Sequence, residues 1–253
     1  MNRRGLYTLF RKEVLRFLRV STQTIGTPVM TALLYLLVFA YVMEGNVHVY
    51  DGVGYTVFLV PGLIMMSVIQ NAFANASSSI IQSKMNGNVT FMLLAPLSPL
   101  EIFIGYVGAS VVRGLAVGLG VSIAGLLVVA VLPDHVLWMS VFVLLASGLL
   151  GALGLIAGIW ADKYEQLAGF QNFIILPLSF LSGVFYSIHS LPPFWQHLSR
   201  FNPFFYMIDG FRFGLIGVSD VSPWLSLGIV GGFLIVTAGL CLHLLHTGYK
   251  LRN

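Results

Sequence analysis

The amino-acid sequence predicts an all-α integral membrane protein. It reads as six transmembrane helices, an amphipathic helix ahead of the first, and a re-entrant helical hairpin between the fifth and sixth. Three observations lead there. Of 253 residues, 57% are hydrophobic and 9% charged, whereas a soluble domain carries about 25% charged residues; so few charges cannot cover a water-exposed surface. The apolar residues fall in uncharged runs of roughly 20 or more, the length one helix needs to cross the hydrocarbon. Lysine and arginine gather on one side of those runs when the chain is threaded in order.

Residues 3–19 form the amphipathic helix. Leu6, Leu9, Phe10, Val14, Phe17 and Leu18 share one face, and Arg4, Arg11, Lys12, Arg16 and Arg19 the other, as expected for a helix on the cytoplasmic surface. Glu13 points into the apolar stripe, where its carboxylate needs a cation, and Arg16 one turn on is the local candidate. Span 1 covers Val20–Met43, with Gly26 and Pro28 placed to kink it. Glu44–Gly54 has acids and no lysine or arginine, and reads as an outside loop. Span 2 covers Tyr55–Ser83 and turns polar in its second half, where Asn71, Asn75, Ser78 and Gln82 share a face. Lys84 marks the cytoplasmic return.

Residues 85–100 are broken by Gly87, Pro96 and Pro99 and read as a short interfacial helix plus a turn. Span 3 covers Ile102–Leu132 with Arg113 inside it, and Pro133-Asp134 makes a tight outside turn. Span 4 covers Val136–Ala161. Asp162, Lys163, Tyr164 and Glu165 form a compact cytoplasmic loop. Span 5 covers Leu167–Tyr186 and span 6 Trp224–Leu245, with Lys250 and Arg252 beyond it. Between them, 187–220 is aromatic-rich and broken at Pro192-Pro193 and Asn202-Pro203. Non-helical backbone survives at membrane depth only where protein or water satisfies its amides. The segment therefore reads as a hairpin dipping into the outer leaflet; the alternative is an amphipathic pair lying flat on the outer surface. Trp195 and Tyr206 suit an interfacial level.

Ten lysines and arginines fall on the side of the N-terminus (Arg3, Arg4, Arg11, Lys12, Arg16, Arg19, Lys84, Lys163, Lys250, Arg252) and two on the other (Arg200, Arg212). The positive-inside rule puts both termini in the cytoplasm. The net charge of +4 thus sits at membrane boundaries, where orientation and anionic lipid account for it, and nucleic acid is not implied. The basic start is followed by a run long enough to span, so it reads as a retained helix rather than a removed signal.

Candidate chemistry is sparse. No phosphate-binding loop, serine-nucleophile elbow, His-Glu-x-x-His helix or Cys-x-x-Cys pair occurs, so the chain cannot bind and hydrolyse ATP by the phosphate-loop route. The single cysteine, Cys241, excludes an internal disulfide framework. With His243 and His246 it lies close enough to suggest a metal, but at a helix end with no carboxylate nearby, and Cys241 reads as a packing residue. Charges within the membrane are more telling, because they are expensive there. Arg113 is one; Asp209 and Arg212, three apart on one helix face, are the others. That pair reads either as a structural salt bridge or as lining for a polar route. Asn71, Asn75 and Ser78 likewise line a pathway or hydrogen-bond between helices. Gly114-x-x-x-Gly118 and Gly154-x-x-x-Gly158 allow close helix approach, within one bundle more readily than across a dimer seam. Phe185, Tyr186, Phe194, Trp195, Phe204, Phe205 and Tyr206 are expected to face lipid, with stacking on sugars the alternative.

Ile175–Arg212 resembles the membrane signature of type-2 ATP-binding-cassette (ABC) exporter permeases, through Leu191-Pro192, Asn202-Pro203-Phe204-x-Tyr206 and then Arg212. Lys12-Glu13-x-x-Arg16, Val60-Pro61-Gly62-Leu63, Gly105-Tyr106-Val107-Gly108 and Arg113-Gly114 are similar to the YadH-like branch, so the resemblance covers the whole chain. It implies a six-span subunit in the bacterial inner membrane, working as a homodimer with two copies of a separate ATPase that carries ATP and Mg; no cofactor is expected in this chain. The resemblance makes 3–19 an interface helix, 84–97 a coupling helix, 162–166 a second cytoplasmic contact and 190–217 the re-entrant hairpin. ATPase contacts then fall on Lys12, Glu13, Arg16, Lys84, Phe91, Met92, Asp162 and Glu165. Relatives often carry glutamates just before the end of the coupling helix. Thr90 and Phe91 stand there in this chain, so an apolar contact is implied instead. The implied activity is export of an amphiphilic, glycan- or lipid-like or drug-like substrate along a path near Asn71, Asn75, Ser78 and Arg113. The hairpin residues Pro192, Asn202, Pro203, Tyr206, Asp209 and Arg212 stand near its outer exit. A secondary transporter or channel is the alternative, but Asp209 is the one membrane-embedded acid it could use. A lipid-modifying enzyme lacks clustered catalytic residues.

Overall fold

The computed structural model of the protein describes residues 2–43 and 53–251, so nearly all of the predicted outside loop 44–54, and Arg252 of the tail, lie outside the described residues. Every regular element described is a helix. The amphipathic segment forms α1 (Arg3–Leu18), with the Asn2 side chain accepting from the Gly5 amide at its start. Span 1 begins with a π-helical turn over Thr22–Gly26 and continues as α2 (Thr27–Met43), so the predicted irregularity near Gly26 and Pro28 takes the form of a widened turn. Then come α3 (Tyr55–Met85), α4 (Asn88–Leu94), α5 (Pro99–Val128) and α6 (Val136–Trp160). Gly87, at φ 71°, makes the turn from α3 into α4.

Two expected boundaries move. Span 3 starts at Pro99 rather than Ile102, because proline at the first helical position lacks only an amide that would be unpaired anyway. Ser98 and Glu101 close a capping box around it. The same span ends at Val128, four residues before the expected Leu132, and the chain beyond it bonds to a later helix: the amides of Asp134 and His135 donate to Leu215 O (3.3 Å) and Gly214 O (2.8 Å).

Span 5 differs more. It is a helical run of α7 (Tyr164–Phe170), a π-helical turn (Gln171–Ile175) and α8 (Leu176–Phe180), after which the helix gives way to turns that continue along α3 to Tyr55, whose hydroxyl donates to Phe185 O at 2.9 Å. At ~1.5 Å per residue it falls short of the ~30 Å hydrocarbon, and it stops six residues before the expected Tyr186. Among the described residues five helices are long and apolar enough to cross a membrane: Thr22–Phe39, α3, α5, α6 and α11 (Pro223–Thr247). The segment between α8 and α11 carries α9 (Pro193–Arg200) and α10 (Pro203–Ile216). The two behave differently. α9 is mostly exposed, whereas α10 is buried along most of its length against α6, α11 and α3. The expectation that its aromatic residues face lipid is therefore corrected: Phe204, Phe205 and Tyr206 are buried in the core, and the Tyr206 hydroxyl donates to Arg200 O at 2.8 Å. The sequence pattern was ambiguous because a helix buried on all sides is as apolar as one facing lipid.

The bundle is organised around α3, which packs most extensively against α6 and α5. Glycines set that closeness. A Cβ on Gly154 would stand 2.3 Å from Phe73 O, and one on Gly158 2.9 Å from Ser77 O, both on α3. Gly114 and Gly118 meet Ser147 and Val68. All four glycines thus serve packing inside one chain. Replacement of Gly154 by leucine is expected to cost about 1–3 kcal/mol through overpacking against the α3 backbone. Replacement of Gly232 by leucine, where nothing lies within 4 Å of an added Cβ, should be neutral in thermal unfolding of the purified protein. Equal melting temperatures for the two variants would contradict the packing.

Candidate functional site

α1 is held on the bundle by its buried line Leu9, Glu13 and Phe17. Gly105 and Gly108 of α5 lie directly beneath Leu9 and Phe10. Glu13 is fully buried, with Arg16 Nε at 3.2 Å and Lys12 Nζ at 3.2 Å. Arg16 leaves the polar face to which the helical pattern assigns it and turns into the bundle. Its Nη2 donates to Asn75 O (2.7 Å) and Oδ1 (3.1 Å), and its Nη1 to Ser78 Oγ (3.2 Å). The physical reason is the pairing of charge at low dielectric: the buried carboxylate needs a cation, and the cation's remaining donors need acceptors. Asn75 also donates toward Ser110 Oγ (3.4 Å).

Next to this junction lies a cavity of about 610 Å³, bounded by the start of span 1, α3, Arg113 of α5 and Gln171 of the π-helical turn. Asn71 and Ser78 line it, whereas Asn75 is buried behind it and Gln82 is exposed elsewhere. Arg113, at the midpoint of α5, donates from Nη2 to Asn71 Oδ1 at 2.9 Å.

At the end of the bundle where Lys84 lies, that side chain donates to the last carbonyls of α6, Ile159 O (2.9 Å) and Ala161 O (2.6 Å), and stands 3.3 Å from Asp162 Oδ1. Lys250 donates to Trp160 O (3.0 Å) and Asp162 Oδ2 (2.7 Å). Two ammonium groups thus satisfy the C-terminus of α6, and their hydrogen bonds, Lys250 first, hold the Asp162 carboxyl below the usual range. Glu101 is a second joint at this end. It accepts from the backbone amide of Asn2 and from Ser98 N (2.7 Å), tying the start of α1 to the start of α5. A groove of about 450 Å³ runs between α1 and α4. On its rim Phe91 is 72% exposed, while Met92 turns inward, its sulfur accepting from the Tyr106 hydroxyl at 3.5 Å.

At the opposite end, Asp209 and Arg212 are fully buried, 3.8 Å apart. Asp209 accepts from the amides of Asp220 (2.7 Å) and Val221 (3.2 Å), and Arg212 donates to Gly183 O (2.5 Å) and lies 4.1 Å over the Phe58 ring. The pair therefore stitches α10 to the turns on either side of it. Asn202 caps α10 by accepting from Phe204 N and donates to Leu178 O (2.7 Å). Pro203 is the first residue of α10, and Pro192 precedes α9.

The family model described as ABC-2 type transporter matches residues 4–216 of this chain. The chain belongs to the ABC-2 type transporter family. This ABC-2 type chain is 38% identical over 249 residues to the inner membrane transport permease YadH of Escherichia coli K12, covering 98% of this chain and 97% of that protein. It is 27% identical over 202 residues to nodulation protein J of Rhizobium leguminosarum bv. viciae (77% and 74% covered). With nodulation protein J of Rhizobium meliloti it shares 24% identity over 234 residues (90% and 87%).

In the ABC-2 type chain the structure brings Lys12, Glu13, Arg16, Asn75 and Ser78 together, Asn71 with Arg113, Lys84 with Asp162, and Asn202, Tyr206, Asp209 and Arg212 around α10. Phe91 and Met92 both line the groove between α1 and α4, Phe91 exposed and Met92 partly buried against Tyr106, and Glu165 is exposed in the first turn of α7. Sequence reasoning missed Glu101, although the Ser-x-x-Glu spacing of a capping box at Ser98 marks it. Gln70 of the cavity belongs to the polar second half of span 2 in the sequence, but its spacing does not place it with the pathway residues. Because the folded Asp162 group has a lowered pKa, its contribution is complete above the ordinary carboxylate range of about 3.9 and is lost as pH falls through the depressed value. The difference in melting temperature between wild type and Asp162→Asn should hold constant from pH 8 to 5 and close below about pH 4. A difference that widens toward low pH would contradict the lysine clamp.

Proposed function

We propose that this ABC-2 type permease is the non-catalytic membrane subunit of an ATP-driven exporter in the bacterial inner membrane. It works as a homodimer with two copies of a separate ATPase that supplies ATP and Mg chemistry. Its termini face the cytoplasm, the short run Tyr164–Phe180 completes a sixth crossing, and 190–217 forms the re-entrant hairpin. The cargo is an amphiphile of glycan-, lipid- or drug-like character. Family membership and the 38% identity to a transport permease support the class.

The observation that carries the ATPase reading is the groove between α1 and α4, where Phe91 stands 72% exposed at the end of the bundle that the lysine and arginine count assigns to the cytoplasm. A large exposed apolar side chain beside a groove marks a contact surface. In this reading α1 rests on the ATPase, residues 84–97 carry its motion, and 162–166 makes a second contact. ATP binding draws two ATPase subunits together, α4 moves with them, and α1 passes that motion to α3 through Arg16. The path between two copies then opens near Asn71, Ser78 and Arg113.

The test is co-purification of this chain with the product of a neighbouring gene, together with ATP hydrolysis by the complex. Phe91→Asp should weaken ATPase association by tenfold or more without lowering the melting temperature, since Phe91 is not part of the core. Met92→Asp should lower the melting temperature, because Met92 packs inward. Unaltered association in Phe91→Asp would overturn the apolar contact.

A further inference from the structure

Arg113 is an incompletely satisfied ion that borders a cavity. It sits at the midpoint of a 30-residue apolar helix, where an arginine costs about 3 kcal/mol or more to insert. One hydrogen bond to Asn71 serves it, and its buried Nε has no partner. Gln70 Nε2, which lines the same cavity, is also buried and unpartnered. Buried donors are rarely left unmet in native structures. No aspartate or glutamate lines the cavity among the described residues. Glu13, the acid of the neighbouring junction, is already shared by Lys12 and Arg16.

The lining is mixed: Arg113, Gln70, Asn71 and Ser67 bring polar groups, and Ala32, Tyr35, Leu63 and Met66 apolar ones. At about 610 Å³ the space suits an organic ligand rather than a bare inorganic ion. Its outer boundary, α2, carries exposed Met30, Leu34, Leu37 and Val38, so an acyl chain leaving the cavity past α2 meets an apolar surface.

We propose that this cavity binds the oxyanion head of an anionic amphiphile, with Arg113 and Gln70 as its donors and Ala32, Tyr35, Leu63 and Met66 against the start of its tail. A guanidinium fork matches phosphate, sulfate and carboxylate geometry. The proposal deepens the pathway reading and rests on it only for the role of cargo: binding itself requires this chain alone, so a permease that captures no ATPase would sink the exporter reading and leave the site standing. The same chemistry is offered by a resident phospholipid and by an exported amphiphile.

The test uses the purified full chain in neutral detergent, with dihexanoyl phosphatidic acid, dihexanoyl phosphatidylcholine and inorganic phosphate as probes read by intrinsic tryptophan fluorescence. Phosphatidic acid is expected to bind at least tenfold more tightly than either of the others. Arg113→Gln should weaken it by about 30-fold or more, and Arg113→Lys and Gln70→Leu by about tenfold, in keeping with loss of charge-assisted hydrogen bonds. Native mass spectrometry separates the sources. Phospholipid retained by wild type and lost from Arg113→Lys identifies a resident lipid; an empty wild type that takes up phosphatidic acid reversibly identifies an exchangeable cargo head. Inorganic phosphate binding as tightly as the lipid would overturn the amphiphile. If Arg113→Gln does not fold, wild-type affinity in both Arg113→Lys and Gln70→Leu would overturn the site.

Discussion

A guanidinium carried to the edge of the hydrocarbon must find its acceptors in protein, and Arg16 finds them on α3. Its donors meet the carbonyl and side chain of Asn75, the hydroxyl of Ser78 and the carboxylate of Glu13. Glu13 keeps Lys12 as a second cation and Arg16 is a quarter exposed, so breaking the junction removes the tie to α3 rather than leaving Glu13 unpaired; polar groups linked in this way respond together. The consequence is mechanical. A helix that would otherwise lie loosely at the membrane surface is fastened to the central helix of the bundle, one turn from the cavity that Asn71 and Arg113 share.

The rest of the architecture is consistent with α3 as a rigid post. Glycines of α6 bring backbone against backbone along it, and Glu101 and Asn2 fix the start of α1 to the start of α5. Motion applied at α1 or α4 consequently cannot be absorbed by the first helix alone. The polar groups at the far end have a different task. Asp209 and Arg212 are fully buried and bonded to backbone of the turns around α10, so they define the shape of the outer segment rather than offer an exposed charge to a passing molecule.

Much of this was legible in the sequence. Uncharged runs locate the long helices, because only intrachain hydrogen bonds satisfy backbone in lipid, and Glu13 stands out as an acid in an apolar stripe with Arg16 as its local partner. What stayed hidden depended on tertiary context. The helical wheel put Arg16 with the other cations, since nothing local reveals that Asn75 O is waiting on another helix. Phe204, Phe205 and Tyr206 were assigned to lipid because apolar surroundings of either kind select the same residues. Span 5 was drawn too long because the pattern of hydropathy carries on past Phe180 although the helix does not. Pro99 was read as a break when its place at the first helical position makes it a start.

The central claim is that Arg16 fastens α1 to α3. Hydrogen–deuterium exchange of the purified protein in lipid nanodiscs, comparing wild type with Arg16→Met, tests it most directly. The account predicts that the amides of residues 9–18 exchange at least tenfold faster in the variant while those in the middle of α3 keep their protection. Unchanged exchange across α1 would show that apolar packing on α5 alone holds the helix, and the account of how the cytoplasmic end reaches the cavity would fail.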